Sequence, residues 1–108
     1  INCGFIEPEP NFVAVETIKL FYKQNGYPFG SVLCIGGGEA IMETPFAFIA
    51  KSKIKKFARA INKNRGSFYT VTMPLTKRLY IKASTNYWIS YGKRNGITKE
   101  QMETMEIE

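Results

Sequence analysis

Apolar and polar positions along the chain change period several times, and each change marks an element. Residues 1–5, Ile-Asn-Cys-Gly-Phe, are short and apolar and run into Ile6-Glu7-Pro8-Glu9-Pro10. Proline has no N–H to give a ladder, so a strand is predicted to stop at that loop. Asn11 reads as the N-cap of a helix. Over 12–25 the apolar residues Ala14, Val15, Ile18, Phe21 and Tyr22 recur at helical spacing, with Glu16, Lys19 and Lys23 on the other side. That pattern predicts an amphipathic helix, closed by Asn25-Gly26 with the glycine in the left-handed conformation.

Ser31-Val32-Leu33-Cys34-Ile35 is apolar after its first residue and runs directly into Gly36-Gly37-Gly38. A continuous apolar run of this length suits a strand buried on both faces, as in a parallel sheet covered by helices. Strand, helix and strand then fill about 35 residues, the size of a βαβ unit. The glycines past the strand allow a sharp turn, at the position where open α/β sheets bind ligands.

Thr44-Pro45 is a helix-start signal. The stripe Phe46, Ala50, Ile54, Phe57, Ala58 and Ile61 is predicted to face inward, and Asn64-Arg65-Gly66 to end the helix. Residues 68–73 have strand composition, but Pro74 leaves two readings open, a short edge strand or an extended linker. A further helix is predicted over 76–94. Leu79, Ala83, Tyr87 and Ser90 form one stripe on it, and Tyr80, Ser84, Trp88 and Tyr91 lie beside them. Thr98 and Gln101 have capping-box spacing, which predicts a last short helix.

Composition narrows the chemistry. The 108 residues are 44% hydrophobic and 22% charged, values of an ordinary globular chain with room for one modest core. No apolar run approaches the roughly 20 residues that span a bilayer. Cys3 and Cys34 are too few for a disulfide scaffold, and each reads as a small buried thiol. Neither histidine nor aspartate occurs. Imidazole bases, Ser-His-Asp systems and most zinc and calcium sites are therefore excluded, and catalysis would fall to a bound cofactor. The chain begins on Ile1 within a strand-like run, so it reads as a piece of something longer.

The net charge of +6 is uneven. Residues 1–50 hold two bases against five glutamates, a net −3, and residues 51–108 hold thirteen bases against four, a net +9. The block from Lys51 to Arg65 reads as the solvated face of an amphipathic helix. The aromatics of 80–91, interleaved with Lys77, Arg78, Lys82, Lys93 and Arg94, read as residues that pack on the sheet or a second subunit. The alternative is a small basic module for nucleic acid or an anionic membrane. As a phosphate cradle the three glycines are poor, because Glu39 opposes an anion and no Gly-Lys-Ser/Thr comes after them. Glu7 and Glu9, in their proline-bounded loop, have no matching partner for acid–base work.

Three segments, "INCGFIEPEPN", "GSVLCIGGGEAI" and "MPLTKRLYIKASTNYWISYGKRNGITKEQM", together resemble the C-terminal half of the flavodoxin-like NAD(P)H-dependent FMN oxidoreductases, notably the small clostridial type. The resemblance spans nearly the whole chain and rests on the succession of pieces. It implies an α/β, flavodoxin-like parallel-sheet (βαβ) half-domain with a C-terminal helical extension. Residues 1–66 would be the βαβα part, and 67–108 an aromatic and basic extension of the same domain. By this resemblance Cys3, Gly4 and Phe5 would lie near the flavin ring, and Gly36 and Gly37 near its rim or the substrate. FMN would be bound only weakly by this piece, because the family's phosphate loop and a further flavin loop lie in the missing N-terminal half. NAD(P)H would be the co-substrate. The implied partners are that missing half and a second copy, in the cytoplasm; neither membrane nor nucleic acid is expected.

Overall fold

The computed structural model describes residues 1–63 and 66–104. The chain divides into two compact units, Ile1–Pro74 and Leu75–Glu108.

The first unit is mixed α/β. Its elements are β1 (Asn2–Cys3), α1 (Asn11–Gln24), β2 (Val32–Gly36), α2 (Gly38–Met42), α3 (Ala47–Asn62) and β3 (Phe68–Val71). The strands form one sheet in the order β1-β2-β3, and both pairings are parallel. Register sets Asn2 beside Ile35 and Cys3 beside Gly36, with Val32 to Ile35 beside Phe68 to Val71. The expected βαβ unit is present, and of the two readings of 68–73 the structure takes the edge strand.

β2 is the axis of the core. Val32, Leu33, Cys34 and Gly36 are buried, as a central parallel strand requires. Val32 and Cys34 pack with Val15 of α1, and Phe12 seals that cluster. The Phe12 ring meets Phe68 edge-on at 5.3 Å. Strand alternation turns Leu33 and Ile35 to the opposite face. α3 packs against β2 and β3 through Ala50 and Ala60, both buried.

Several local predictions need correction. Asn11 is not the cap of α1. Pro10 holds that position with no side-chain cap, while Asn11 is buried and its Nδ2 donates to the Ile35 carbonyl at 3.3 Å. The inner face of α1 runs through Asn11, Val15 and the half-buried Tyr22, leaving Ala14, Ile18 and Phe21 exposed. Thr44-Pro45 does not begin α3, which starts at Ala47. Instead Thr44 Oγ1 accepts from Phe46 N at 3.2 Å and donates to the Ile41 carbonyl at 2.8 Å, forming the turn before the helix. The unpredicted α2 rises directly from the glycines, with Gly37 at φ 60° as its left-handed N-cap. The inner face of α3 runs through Ala50, Lys53, Phe57 and Ala60, so Ile54, Ala58 and Ile61 of the predicted stripe are exposed. Asn64 and Arg65 of the predicted stop lie outside the described residues. Gly26 closes α1 as expected, at φ 69°.

The second unit holds α4 (Lys77–Arg94) and α5 (Lys99–Thr104). Thr76 caps α4 by accepting from Leu79 N at 3.4 Å. The capping box of α5 is formed: Thr98 N donates to Gln101 Oε1 at 2.9 Å, and Gln101 N to Thr98 Oγ1 at 3.2 Å. A Cβ on the buried Gly92 would meet Met102 Sδ at 2.5 Å, which is why α5 can lie so close to α4. Leu79, Ala83, Tyr87 and Ser90, the predicted stripe, are all exposed.

No helix among the described residues is long and apolar enough to cross a membrane.

Candidate functional site

The five residues singled out in the sequence meet at the carboxyl end of the parallel sheet. Cys3 is the register partner of Gly36, and Gly37 N donates to the Phe5 carbonyl at 2.6 Å. Gly4 lies between the two contacts. In open α/β sheets this end, with its loops, is where ligands are received.

The glycines are occupied by the chain's own atoms. A Cβ on Gly36 would overlap the Ile6 carbonyl oxygen and touch Glu7. One on Gly37 would meet Met73 at 3.2 Å, and one on Gly38 would meet Asn2 at 2.5 Å. The loop after β1 therefore lies directly across the end of β2, with Pro8 fully buried beneath it. Met73 N extends this layer by donating to the Ile6 carbonyl at 3.0 Å. The glycines thus serve a close backbone crossing, and the surface offered outward belongs to Phe5, which is 62% exposed.

The two thiols are free and differ in surroundings. Cys34 is fully buried, and burial pushes its thiol above the ordinary value; the positive Ile1 amino group offsets part of that rise. Cys3 is half-buried, and its thiol faces backbone carbonyls, at 3.4 Å for Glu7 and 3.8 Å for Ile35.

Charge at this end was not legible in the sequence. Glu7 and Glu9 project from the loop after β1, while Glu39 and Glu43 sit on and just after α2. All four are exposed, and no described ion pair includes them. Glu7 and Glu9, without a partner in the linear reading, share an acidic rim with two glutamates brought by α2. Exposed Met42 stands on the same short helix. The exposed side chains of this loop and of α2 are thus two apolar ones, Phe5 and Met42, and four glutamates. Among the described residues no cluster of acidic, cysteine or histidine side chains could hold a metal ion.

Two further surfaces stand out. Beside the start of β1 and β2 a groove of about 570 Å³ is lined by Ile1, Val15, Ile18, Leu33, Ile35 and Phe57, among others. On α4, Tyr87, Trp88 and Tyr91 are in mutual contact at centroid distances of 5.4 to 6.3 Å, and all three are exposed. The Arg94 guanidinium lies over the Tyr91 ring at 5.5 Å. No acid occurs anywhere on α4.

No protein-family model, curated protein or solved structure matches this chain.

Proposed function

We propose that this chain is the C-terminal portion of an FMN-dependent NAD(P)H oxidoreductase or a flavodoxin-like electron-transfer protein, and that it forms one wall of the flavin site. The observation that carries this reading is the meeting of Cys3, Gly4 and Phe5 with Gly36 and Gly37 at the carboxyl end of parallel strands. Four glutamates make that end hostile to a phosphate, so the part of the cofactor it suits is the uncharged ring, against exposed Phe5. Phosphate binding then falls to the N-terminal half of the domain. Bound FMN would supply hydride acceptance from NAD(P)H and electron delivery to an acceptor. This chain's residues would hold and shield the ring.

The apolar groove beside β1 supports the same reading. Its lining, together with exposed Ala14 and Phe21 on α1 and Ile54 and Ile61 on α3, is the kind of surface a further layer of an α/β domain covers. Free Cys3 and Cys34 suit a reducing, cytoplasmic setting.

The test compares flavin content. The longest natural chain containing this sequence, purified with added FMN, is expected to show flavin absorbance in the visible. The 108-residue chain is expected to show little or none. A colourless longer chain that does not bind FMN would overturn the proposal.

A further inference from the structure

The sheet of the first unit ends differently on its two sides. On the β1 side lies the apolar groove, the surface assigned above to the rest of the domain. On the other side the sheet stops at β3, whose one strand neighbour among the described residues is β2.

The register fixes which backbone groups of β3 stay outside. Val32 N donates to the Ser67 carbonyl at 2.7 Å, and Val32 is the register partner of Phe68. In a parallel ladder that phase turns the N–H and C=O of Tyr69 toward β2 and those of Phe68 and Thr70 away from it. No described hydrogen bond takes these outward groups. Native edge strands are commonly guarded against a like strand by a lysine, a proline or a bulge. β3 has none of these. Residues 66–73 carry neither charge nor proline, the pairing with β2 is unbroken from Phe68 to Val71, and Phe68 is 49% exposed.

We propose that β3 pairs with β3 of a second copy, antiparallel about a two-fold axis at Tyr69, so that one sheet runs through both copies. Phe68 of each copy then faces Thr70 of the other with their outward N–H and C=O groups bonded. The two Tyr69 residues face each other as a non-hydrogen-bonded pair. Aromatic–aromatic and aromatic–β-branched pairs of this kind are favourable across strands. Symmetry selects a second copy as the occupant. In a two-fold pairing the uncharged stretch meets itself, so no charge is set against its like. A strand pair this short makes a small interface, so the dimer depends on concentration. The pairing uses neither the groove beside β1 nor the loops at the carboxyl end of the sheet, and it does not depend on the flavin reading.

The test combines sedimentation with hydrogen exchange on the whole chain. A monomer–dimer equilibrium is expected, and the amides of Phe68 and Thr70 should exchange more slowly as concentration rises. Those of Tyr69 and Val71, bonded to β2, should be slow throughout. Thr70→Pro removes an N–H that β2 does not use, and should raise Kd by at least about tenfold. Tyr69→Lys and Tyr69→Glu each set like charges opposite one another; each alone should be a monomer, and the two mixed should pair. Urea midpoints report whether each variant is folded, and if one is not, the exchange pattern of the unaltered chain decides. A monomer at every concentration would overturn the proposal, as would Phe68 and Thr70 exchange that concentration does not change. So would a dimer that folded Thr70→Pro leaves intact, or growth into larger polymers, which a closed two-fold pair forbids.

Discussion

Asn11 Nδ2 donates to the carbonyl oxygen of Ile35 at 3.3 Å, a polar tie between the first turn of α1 and the central strand. Asn11 is 4% exposed, so its amide is hydrogen-bonded as a buried polar group must be. Asn11→Ala is expected to destabilise the first unit by about 1–2 kcal/mol, read as a lower urea midpoint with an unchanged slope. Asn11→Asp should cost more, and increasingly so as pH rises through the carboxylate range, because an ionised carboxylate has only acceptors to offer that carbonyl. Equal stability of all three proteins would show that the tie contributes nothing.

Gly36 and Gly92 are both crowded, but by different atoms. A Cβ on Gly36 collides with the backbone of Ile6 and Glu7, which can move only if the crossing loop lifts. Gly36→Ala should therefore cost several kcal/mol, about the range of severe overpacking. A Cβ on Gly92 meets chiefly the thioether of Met102, a flexible side chain, and alanine gains up to about 1 kcal/mol of helix propensity there. Gly92→Ala should change thermal stability little. Gly4→Ala, whose Cβ meets nothing within 4 Å, is the control for Gly36.

Cys34 titrates above an ordinary thiol because burial disfavours its thiolate. The folded state thus holds the proton more tightly than the unfolded chain does. The resulting stability is complete below the unfolded thiol's pKa, about 8.5, and is lost as pH rises through the higher folded value. Denaturant midpoints should fall in alkaline buffer, and Cys34→Ala should flatten that alkaline limb at the cost of a small cavity. With a thiol reagent at neutral pH, Cys3 should react at once and Cys34 only on unfolding. Equal rates would contradict the burial difference.

Glu100 opens α5, and hydrogen bonds, first with its own backbone and then with the Thr98 hydroxyl, hold its carboxyl below the usual range. This support is present above the ordinary carboxylate pKa and is lost as pH falls through the lowered one. Thr98→Ala should return the Glu100 titration toward the ordinary range by NMR and fray α5, with the capping box gone.

What the sequence conveys depends on whether a feature is local. The run from Val32 to Ile35, the cap at Gly26 and the capping box of Thr98 and Gln101 are local, and each is where the pattern puts it. The inner faces of α1 and α3 are less legible, because helical spacing gives an apolar arc but not which part of the arc meets the sheet. On α3 the seam swings to Lys53 and Ala60 and leaves Ile54 and Ile61 outside. Asn11 looks like a cap because caps and buried amides share the same residue types. The candidate site splits in the same way. Cys3 to Phe5 and Gly36-Gly37 are readable as strand ends. The acidic rim is not, since it needs both the parallel register and the short helix α2 to bring Glu39 and Glu43 to the end where Glu7 and Glu9 stand.

The bond from Met73 to the Ile6 carbonyl has a consequence for the order in which the first unit can form. It ties the residues trailing β3 to the loop trailing β1, with β2 ending beneath them. The layer over Gly36 and Gly37 is thus made from both ends of the unit at once. Closing so long a loop is entropically slow, and contacts distant in sequence form late. During synthesis, therefore, this layer is incomplete until Met73 has left the ribosome. Only the last residues of the unit complete it.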